Sequence, residues 1–150
     1  AIFPHFNSFG VSGYEIKNKE FTGFAKGGEK GLWYSSNIMR AEKIVVVESA
    51  IDALSHAELK ATGEETAYIS IAGAMSDSQL ELVKKVTADK QTIIATDNDK
   101  DGNKYALQIR EFAPDALRQT AKLSDWNDDL KAQNQEIELN QKSQGLDLSR

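Results

Sequence analysis

The sequence predicts an α/β protein in which about four parallel strands lie between helices, with a small antiparallel β segment ahead of them. Three observations carry this expectation. Ile44, Val45, Val46 and Val47 form an unbroken apolar run of strand length, the pattern of a strand covered on both faces. After that run, strand-like and helix-like stretches alternate to about residue 140, as they do in βαβ units. Before it, aromatic and β-branched residues are broken by glycines every few positions, the punctuation of short antiparallel strands and tight turns.

Taken in order, residues 1–40 form a β-rich preface in which Val11, Tyr14, Ile16, Phe21, Phe24, Leu32 and Trp33 are interspersed with Gly10, Gly13, Gly23, Gly27, Gly28 and Gly31. The main domain is expected over 41–140. Its first strand leads to a helix over 50–61, where Ala50, Ala53, Leu54, Ala57 and Ala61 share a stripe and Gly63 stands as a C-cap. A second strand over 67–71 follows. Ser76 and Gln79 then form a capping-box pair ahead of Leu80, Val83 and Val86. Residues 92–96 make a third strand, and Tyr105, Ala106, Ile109 and Phe112 mark a helix that Pro114 closes. A fourth strand is placed within 117–123 and a helix over 126–139. Residues 141–150 read as a polar, frayed tail.

The bulk composition narrows the chemistry. A chain of 150 residues, 40% hydrophobic, can bury one domain's core without staples. There is no cysteine, which excludes disulfides and thiolate metal sites. His5 and His56 read as structural, one in the preface and one inside a helix. Any metal is therefore held by oxygen and is a hard cation. No apolar run approaches the roughly 20 residues of a membrane span, and no signal peptide opens the chain, so a cytoplasmic protein without a membrane partner is expected. The opening Ala1-Ile2-Phe3-Pro4 reads like the interior of a longer polypeptide. A net charge of -5 argues against general DNA coating, although the first 40 residues, with five basic and three acidic side chains, are mildly basic.

In an open α/β sheet, functional groups gather beyond the carboxyl ends of the strands. Glu48 directly follows the first parallel strand, Asp97 the third, and Asp125 the expected fourth. Three separated stretches thus deliver carboxylates to one rim. The loop Asp97-Asn98-Asp99-Lys100-Asp101-Gly102 is dense in acid, and neighbouring carboxylates repel unless a cation or proton neutralises them. Mg²⁺, with Mn²⁺ as its alternative, suits such a loop because it keeps several waters and takes only one or two protein carboxylates. Helix capping accounts for one Asp of the three, and Asp101, nearest the helix, is the expected cap. Gly102 is read as supplying an unusual backbone angle. An EF-hand loop matches at Asp97, Asp99, Asp101 and Gly102 but fails at Lys104 and Gln108. Held on a rigid strand end, Glu48 suits a general acid or base, with Asp52 one turn further on.

With these motifs placed, the chain resembles the Toprim domain of bacterial primases, type IA and type II topoisomerases and OLD-type nucleases. Glu48-Ser49-Ala50-Ile51-Asp52-Ala53-Leu54-Ser55 is similar to the Toprim glutamate motif, and residues 95–102 to its Asp-x-Asp motif with trailing glycine. Leu123-Ser124-Asp125-Trp126 is similar to the third acidic segment of primase-like members, though Ser124 stands where a lysine often precedes the acid. Ile2-Phe3-Pro4 and Gly10-Val11-Ser12-Gly13-Tyr14 resemble the segment ahead of Toprim in primases, and the likeness is nearest to primase-like proteins of plasmids and mobile elements.

The resemblance implies a Toprim (Rossmann-like) fold and Mg²⁺-dependent phosphodiester chemistry on nucleic acid. Primase-like nucleotidyl transfer in replication or plasmid mobilisation is expected, with a Toprim nuclease or a non-catalytic binding module as alternatives. Glu48 is the expected catalytic residue, and Asp97, Asp99 and Asp125 the expected metal ligands. DNA or RNA, nucleotides, and the helicase or relaxase region of a larger polypeptide are the expected partners.

Overall fold

The computed structural model of the chain describes residues 1–147. The glycine-rich start forms strands β1 (Ile2–Asn7), β2 (Gly10–Lys17) and β3 (Thr22–Phe24), paired antiparallel in the order β1-β2-β3. The register slips between His5 and Phe6, and beyond the slip Phe6 exchanges backbone hydrogen bonds with Leu32 at 2.9 Å each. This approach requires glycine at position 31, because a Cβ there would stand 2.1 Å from the Phe6 carbonyl oxygen. The bridge hands the chain to β4 (Trp33–Tyr34), which belongs to the second sheet.

That second sheet contains β5 (Lys43–Val47), β6 (Thr66–Ser70), β7 (Gln91–Ile94) and β8 (Leu117–Arg118), in the order β4-β6-β5-β7-β8. The four later strands are mutually parallel, as the sequence predicts, and β4 adds an antiparallel edge to β6. Two residues give too little alternation to announce such an edge. β8 is also shorter than expected, with Leu117 and Arg118 alone pairing to β7.

Four helices cover the sheet: α1 (Ala50–Lys60), α2 (Asp77–Thr87), α3 (Lys100–Arg110) and α4 (Trp126–Asp147). The central strand decides their arrangement. Ile44 and Val46 point into one apolar layer with Val83 of α2 and Tyr105, Ala106 and Ile109 of α3. Val45 and Val47 point into the other layer, with Ala53 of α1 and Trp126 of α4. Ile44, Val45, Val46 and Val47 are fully buried, and burying each such side chain contributes about 1.5–3 kcal/mol. The expectation that this run is covered on both faces is met.

Local signals set the helix ends. Ser49 caps α1, and Ser76 with Gln79 forms the expected capping box of α2. The C-cap of α1 is Ala61, in the left-handed conformation at φ 48°, rather than Gly63. The last helix departs furthest from expectation, running to Asp147 where the sequence suggests an end near 139 and a frayed tail. Residues 131–144 are exposed throughout, so no core contact marks the helix along that stretch; residues 148–150 of the tail lie outside the described residues. Among the described residues no helix is long and apolar enough to cross a membrane.

Candidate functional site

The chain leaves β5 for α1 on one face of the sheet and leaves β7 for α3 on the other. Because β5 and β7 are adjacent, the crevice beyond their carboxyl ends is the topological switch point, where such sheets bind ligands. Val46 lies beside Ile94, and the ladder is extended by the Ala95 N–H donating to the Val46 carbonyl at 2.8 Å. One step further, the Asp97 N–H donates to Glu48 Oε1 at 3.1 Å. Glu48, directly beyond β5, is therefore bonded to Asp97, three residues beyond the end of β7.

Burial disfavours charge at both positions. It raises Glu48 to about 7, against the pull of the Asp97 N–H, with Asp99, Asp52 and Asp101 adding repulsion. Asp97 is raised to about 8 by burial first, then by the charges of Glu48, Asp52, Asp125 and Asp99. Asp97 Oδ1 is buried without a hydrogen-bond partner among the described residues. The crevice thus holds more acid than it neutralises.

The remaining expected residues have local duties as well. Asp99, rather than Asp101, caps α3, its Oδ1 accepting from the Gly102 N–H at 2.8 Å. An N-cap accepts from the third residue beyond it, and Gly102 stands in that relation to Asp99. Gly102 lies inside α3, and a Cβ there would stand 2.1 Å from the Asp97 carbonyl oxygen. Close approach to the acidic loop, not an unusual backbone angle, accounts for this glycine. Asp125 is not at the end of β8 but just ahead of α4, where its Oδ1 accepts from the Asp128 N–H at 2.7 Å. Its charge still reaches Asp52 and Asp97.

Asp52 is buried rather than solvated. The Ser49 hydroxyl donates to its Oδ2, and the Asn127 N–H donates to its Oδ1 at 3.3 Å, so it joins the start of α1 to the start of α4. His56 is likewise structural, buried between Tyr68 and Gln119 and packed edge-on against Trp126. His5 is buried against the Gly31 carbonyl.

Sequence reasoning missed Arg118. Its guanidinium lies behind the acidic loop and donates to the carbonyls of Thr96 at 2.8 Å, Asp97 at 3.0 Å, Gln119 at 3.1 Å and Ile94 at 3.3 Å. One cation thus fixes the carbonyls around the β7 end. Asn98 secures the other flank, donating to Ser124 and Ala121 carbonyls at 3.0 and 3.1 Å. Position 118 lies 21 residues from Asp97, and no spacing rule joins them. Lys17 and Lys30 were also missed; with Asp97 and Glu48 they line one cavity.

A hard divalent cation fits this donor set. It would offset the burial and the surrounding acidic charge that disfavour ionised Glu48 and Asp97, and it would engage the unpartnered Asp97 oxygen. Among the described residues, no three histidine or carboxylate side chains are already gathered to hold a metal. Mg²⁺ demands few protein ligands, so an incomplete protein shell is compatible with it.

These features define a doubly wound α/β domain with a carboxylate pair at its switch point. The chain belongs to the Toprim-like family, whose model matches residues 45–130. No curated protein matches it. Among solved structures, the primase fragment of the bacteriophage T7 primase-helicase protein superimposes with a TM-score of 0.64 at 19% identity, covering 91% of this chain and 59% of that one. A structure of the bacteriophage T7 lagging-strand DNA polymerase interacting with primase domains gives 0.56 at 20% identity, covering 91% and 73%. A small TOPRIM domain protein from Bacillus stearothermophilus gives 0.49 at 23% identity, covering 59% and 75%. The T7 likenesses extend over the β-rich preface as well as the matched domain.

Proposed function

We propose that the crevice between β5 and β7 is a divalent-cation site for phosphodiester chemistry on nucleic acid, and that the reaction is primase-like nucleotidyl transfer. The neighbouring Glu48 and Asp97, joined through the Asp97 N–H, carry this reading, since two acids raised to about 7 and about 8 in one crevice suit a cation. Asp97 would hold Mg²⁺, with the free oxygens of Asp99 and Asp125 available to it directly or through water. A bound Mg²⁺ would stabilise negative charge on the phosphate. Glu48, directly beyond β5 and bonded to the Asp97 N–H, is placed to take a proton from an attacking hydroxyl. Arg118 holds the β7-end carbonyls and so fixes where Asp97 stands.

Fold alone does not choose this activity. Support for the primase direction comes from the extent of the T7 likeness; the structure of the T7 polymerase with primase domains is described as bound to an RNA/DNA hybrid and dTTP. A partner region such as a helicase is proposed on the same ground, since this chain spans 59% of the T7 primase fragment. Glu48→Gln and Asp97→Asn in the full-length protein are expected to lower Mg²⁺-dependent primer synthesis at least about 100-fold, with folding retained. Unchanged synthesis and unchanged nicking in both variants would overturn the assignment.

A second reading, a binding module without turnover, is favoured by one observation: Asp99 and Asp125 each already cap a helix. An Mg²⁺ titration followed by NMR tests it. Shifts at Asp97 and Asp99 support the metal site, and their absence, with nucleic-acid binding intact, supports the module.

A further inference from the structure

On β2 the usual polarity of a sheet surface is reversed. Val11 is 69% exposed and Tyr14 41% exposed, whereas Glu15 is buried and Lys17 partly buried. Directly opposite residues of an antiparallel pair share a face, as do alternate residues of one strand. The register sets Phe3 against Glu15 and His5 against Gly13, so His5 and Glu15 are diagonal neighbours on the inward face. Phe24 closes the pocket: its ring packs edge-on to His5 at 5.2 Å and fills the space that a Cβ on Gly13 would take.

His5 is fixed from behind. A carbonyl oxygen only accepts, so Nδ1 carries the proton in its 2.9 Å bond to Gly31. The same carbonyl accepts from Gln79 Nε2 at 2.8 Å, and Nε2 also donates to the Ile71 carbonyl at 2.6 Å, which ties the imidazole to α2 and to the end of β6. His5 Nε2 and Glu15 Oε2 are both buried without a hydrogen-bond partner among the described residues, so neither is open to a ligand. Burial lowers His5 most, while the Gly31 bond and then the Glu15 charge raise it and Lys30 lowers it, so the two buried groups sense each other. The second carboxylate oxygen of Glu15, Oε1, stands 3.5 Å from Lys17 Nζ.

Lys17 and Lys30 are the cations of the cavity of about 330 Å³ that Glu48, Gly73 and Asp97 also line. Lys30 is engaged, its ammonium donating to the Ala72 carbonyl at 3.0 Å. The Lys17 pair, at 3.5 Å, is longer than the roughly 2.7–2.9 Å of a charge-assisted hydrogen bond, so Glu15 steers that ammonium without saturating it. The Lys17 charge reaches Asp52, beside the acidic crevice. A lysine stem is flexible, and ordering it in advance removes a cost that the ligand would otherwise bear.

We propose that Glu15 is a positioning residue: walled in by His5, it aims the Lys17 ammonium into the crevice beside Glu48 and Asp97, toward a phosphate of a bound nucleotide. This inference rests on the nucleic-acid reading of the site and adds to it a buried support, supplied by the preface.

The test is calorimetric titration of the full-length protein with ATP and Mg²⁺. Charge alone and positioning predict opposite signs. Glu15→Gln removes a negative charge near an anion site and would tighten binding if only charge mattered, whereas loss of the steering carboxylate is expected to weaken it about threefold, the cost of ordering one side chain. Lys17→Ala is expected to weaken it about tenfold, the loss of one hydrogen bond between charged groups. The double variant should bind no more weakly than Lys17→Ala, because Glu15 acts through Lys17. Ring ¹⁵N NMR reads the buried pair: His5 is expected to titrate at lower pH in Glu15→Gln than in wild type, with Nδ1 protonated in both. Unchanged or tighter binding by Glu15→Gln overturns the inference, as do additive losses in the double variant or an unmoved His5. If Glu15→Gln fails to fold, Lys17→Ala decides, since wild-type affinity in that variant overturns the inference as well. If Glu48→Gln and Asp97→Asn abolish synthesis while Glu15→Gln binds ATP as wild type does, only the role of Glu15 fails. If those two variants stay active, the reading of the acidic site fails, and the inference with it.

Discussion

Glu48 and Asp97 stand 49 positions apart in sequence yet share a hydrogen bond, and their pairing makes a pH-dependent stability. Folded, they titrate at about 7 and about 8, against 4.5 and 3.8 for the free side chains. The folded chain therefore binds more protons than the unfolded one across that window, and stability falls as pH rises through it. His5 and His56 act in the opposite sense, since burial lowers both below 6.5 and stability rises with pH up to that value. Comparison with Asp97→Asn isolates the acidic pair: the variant is expected to melt higher than wild type at pH 8 and by a clearly smaller margin at pH 5, in thermal scans without divalent ions. Mg²⁺ at pH 8 should raise the wild-type melting temperature and leave that of the variant unchanged; a difference independent of pH would contradict the coupling. The neighbouring acids differ in kind. Asp99→Ala removes the α3 cap and should destabilise by about 1 kcal/mol in urea unfolding. Asp101→Ala should change stability by less than about 0.5 kcal/mol.

At the scale of elements, the acidic loop is held by what lies behind it. The loop joins β7 to α3, Gly102 lets the helix approach the Asp97 backbone, and Arg118 of β8 occupies the carbonyls on the far side. Arg118→Met leaves those carbonyls without their donor and should destabilise by about 2–3 kcal/mol in urea unfolding. Primer synthesis should fall with it, because Asp97 is no longer fixed. Arg118→Lys keeps the charge but not the planar fork and should recover only part of both losses. Full recovery by lysine would mean that charge alone, rather than the pattern of hydrogen bonds, is what the loop requires.

At the scale of the whole molecule, the two sheets form a continuous framework through the Phe6–Leu32 bridge and β4, so the preface can present Glu15, Lys17 and Lys30 to the acidic crevice. Residues 131–144 are exposed, and ending the chain at Asn140 is expected to shift stability by less than about 0.5 kcal/mol, measured by the denaturation midpoint. A larger loss would show that the tail packs against something. Much of this plan is legible in the sequence where a single rule acts over a short range. The β5 run reads as doubly covered because four consecutive apolar residues admit few other placements, and the α2 capping box reads directly from Ser76 and Gln79. The edge strand β4, the αL residue Ala61 and the full length of α4 do not, because each is decided by neighbours distant in sequence or by their absence.

The sequence by itself determined the alternation of parallel strands and helices from β5 onward, the family, and the delivery of Glu48 and Asp97 to one rim, since periodicity and position relative to a strand are local properties. Only the tertiary structure decided which Asp caps and which is free. It placed Asp99 and Asp125 at helix starts, left Asp97 Oδ1 unpartnered, put Arg118 behind the loop and turned Glu15 inward. The reason is physical: a carboxylate's role follows from which donors reach its oxygens and how much water remains, and both are set by chain segments that meet only when the sheets assemble.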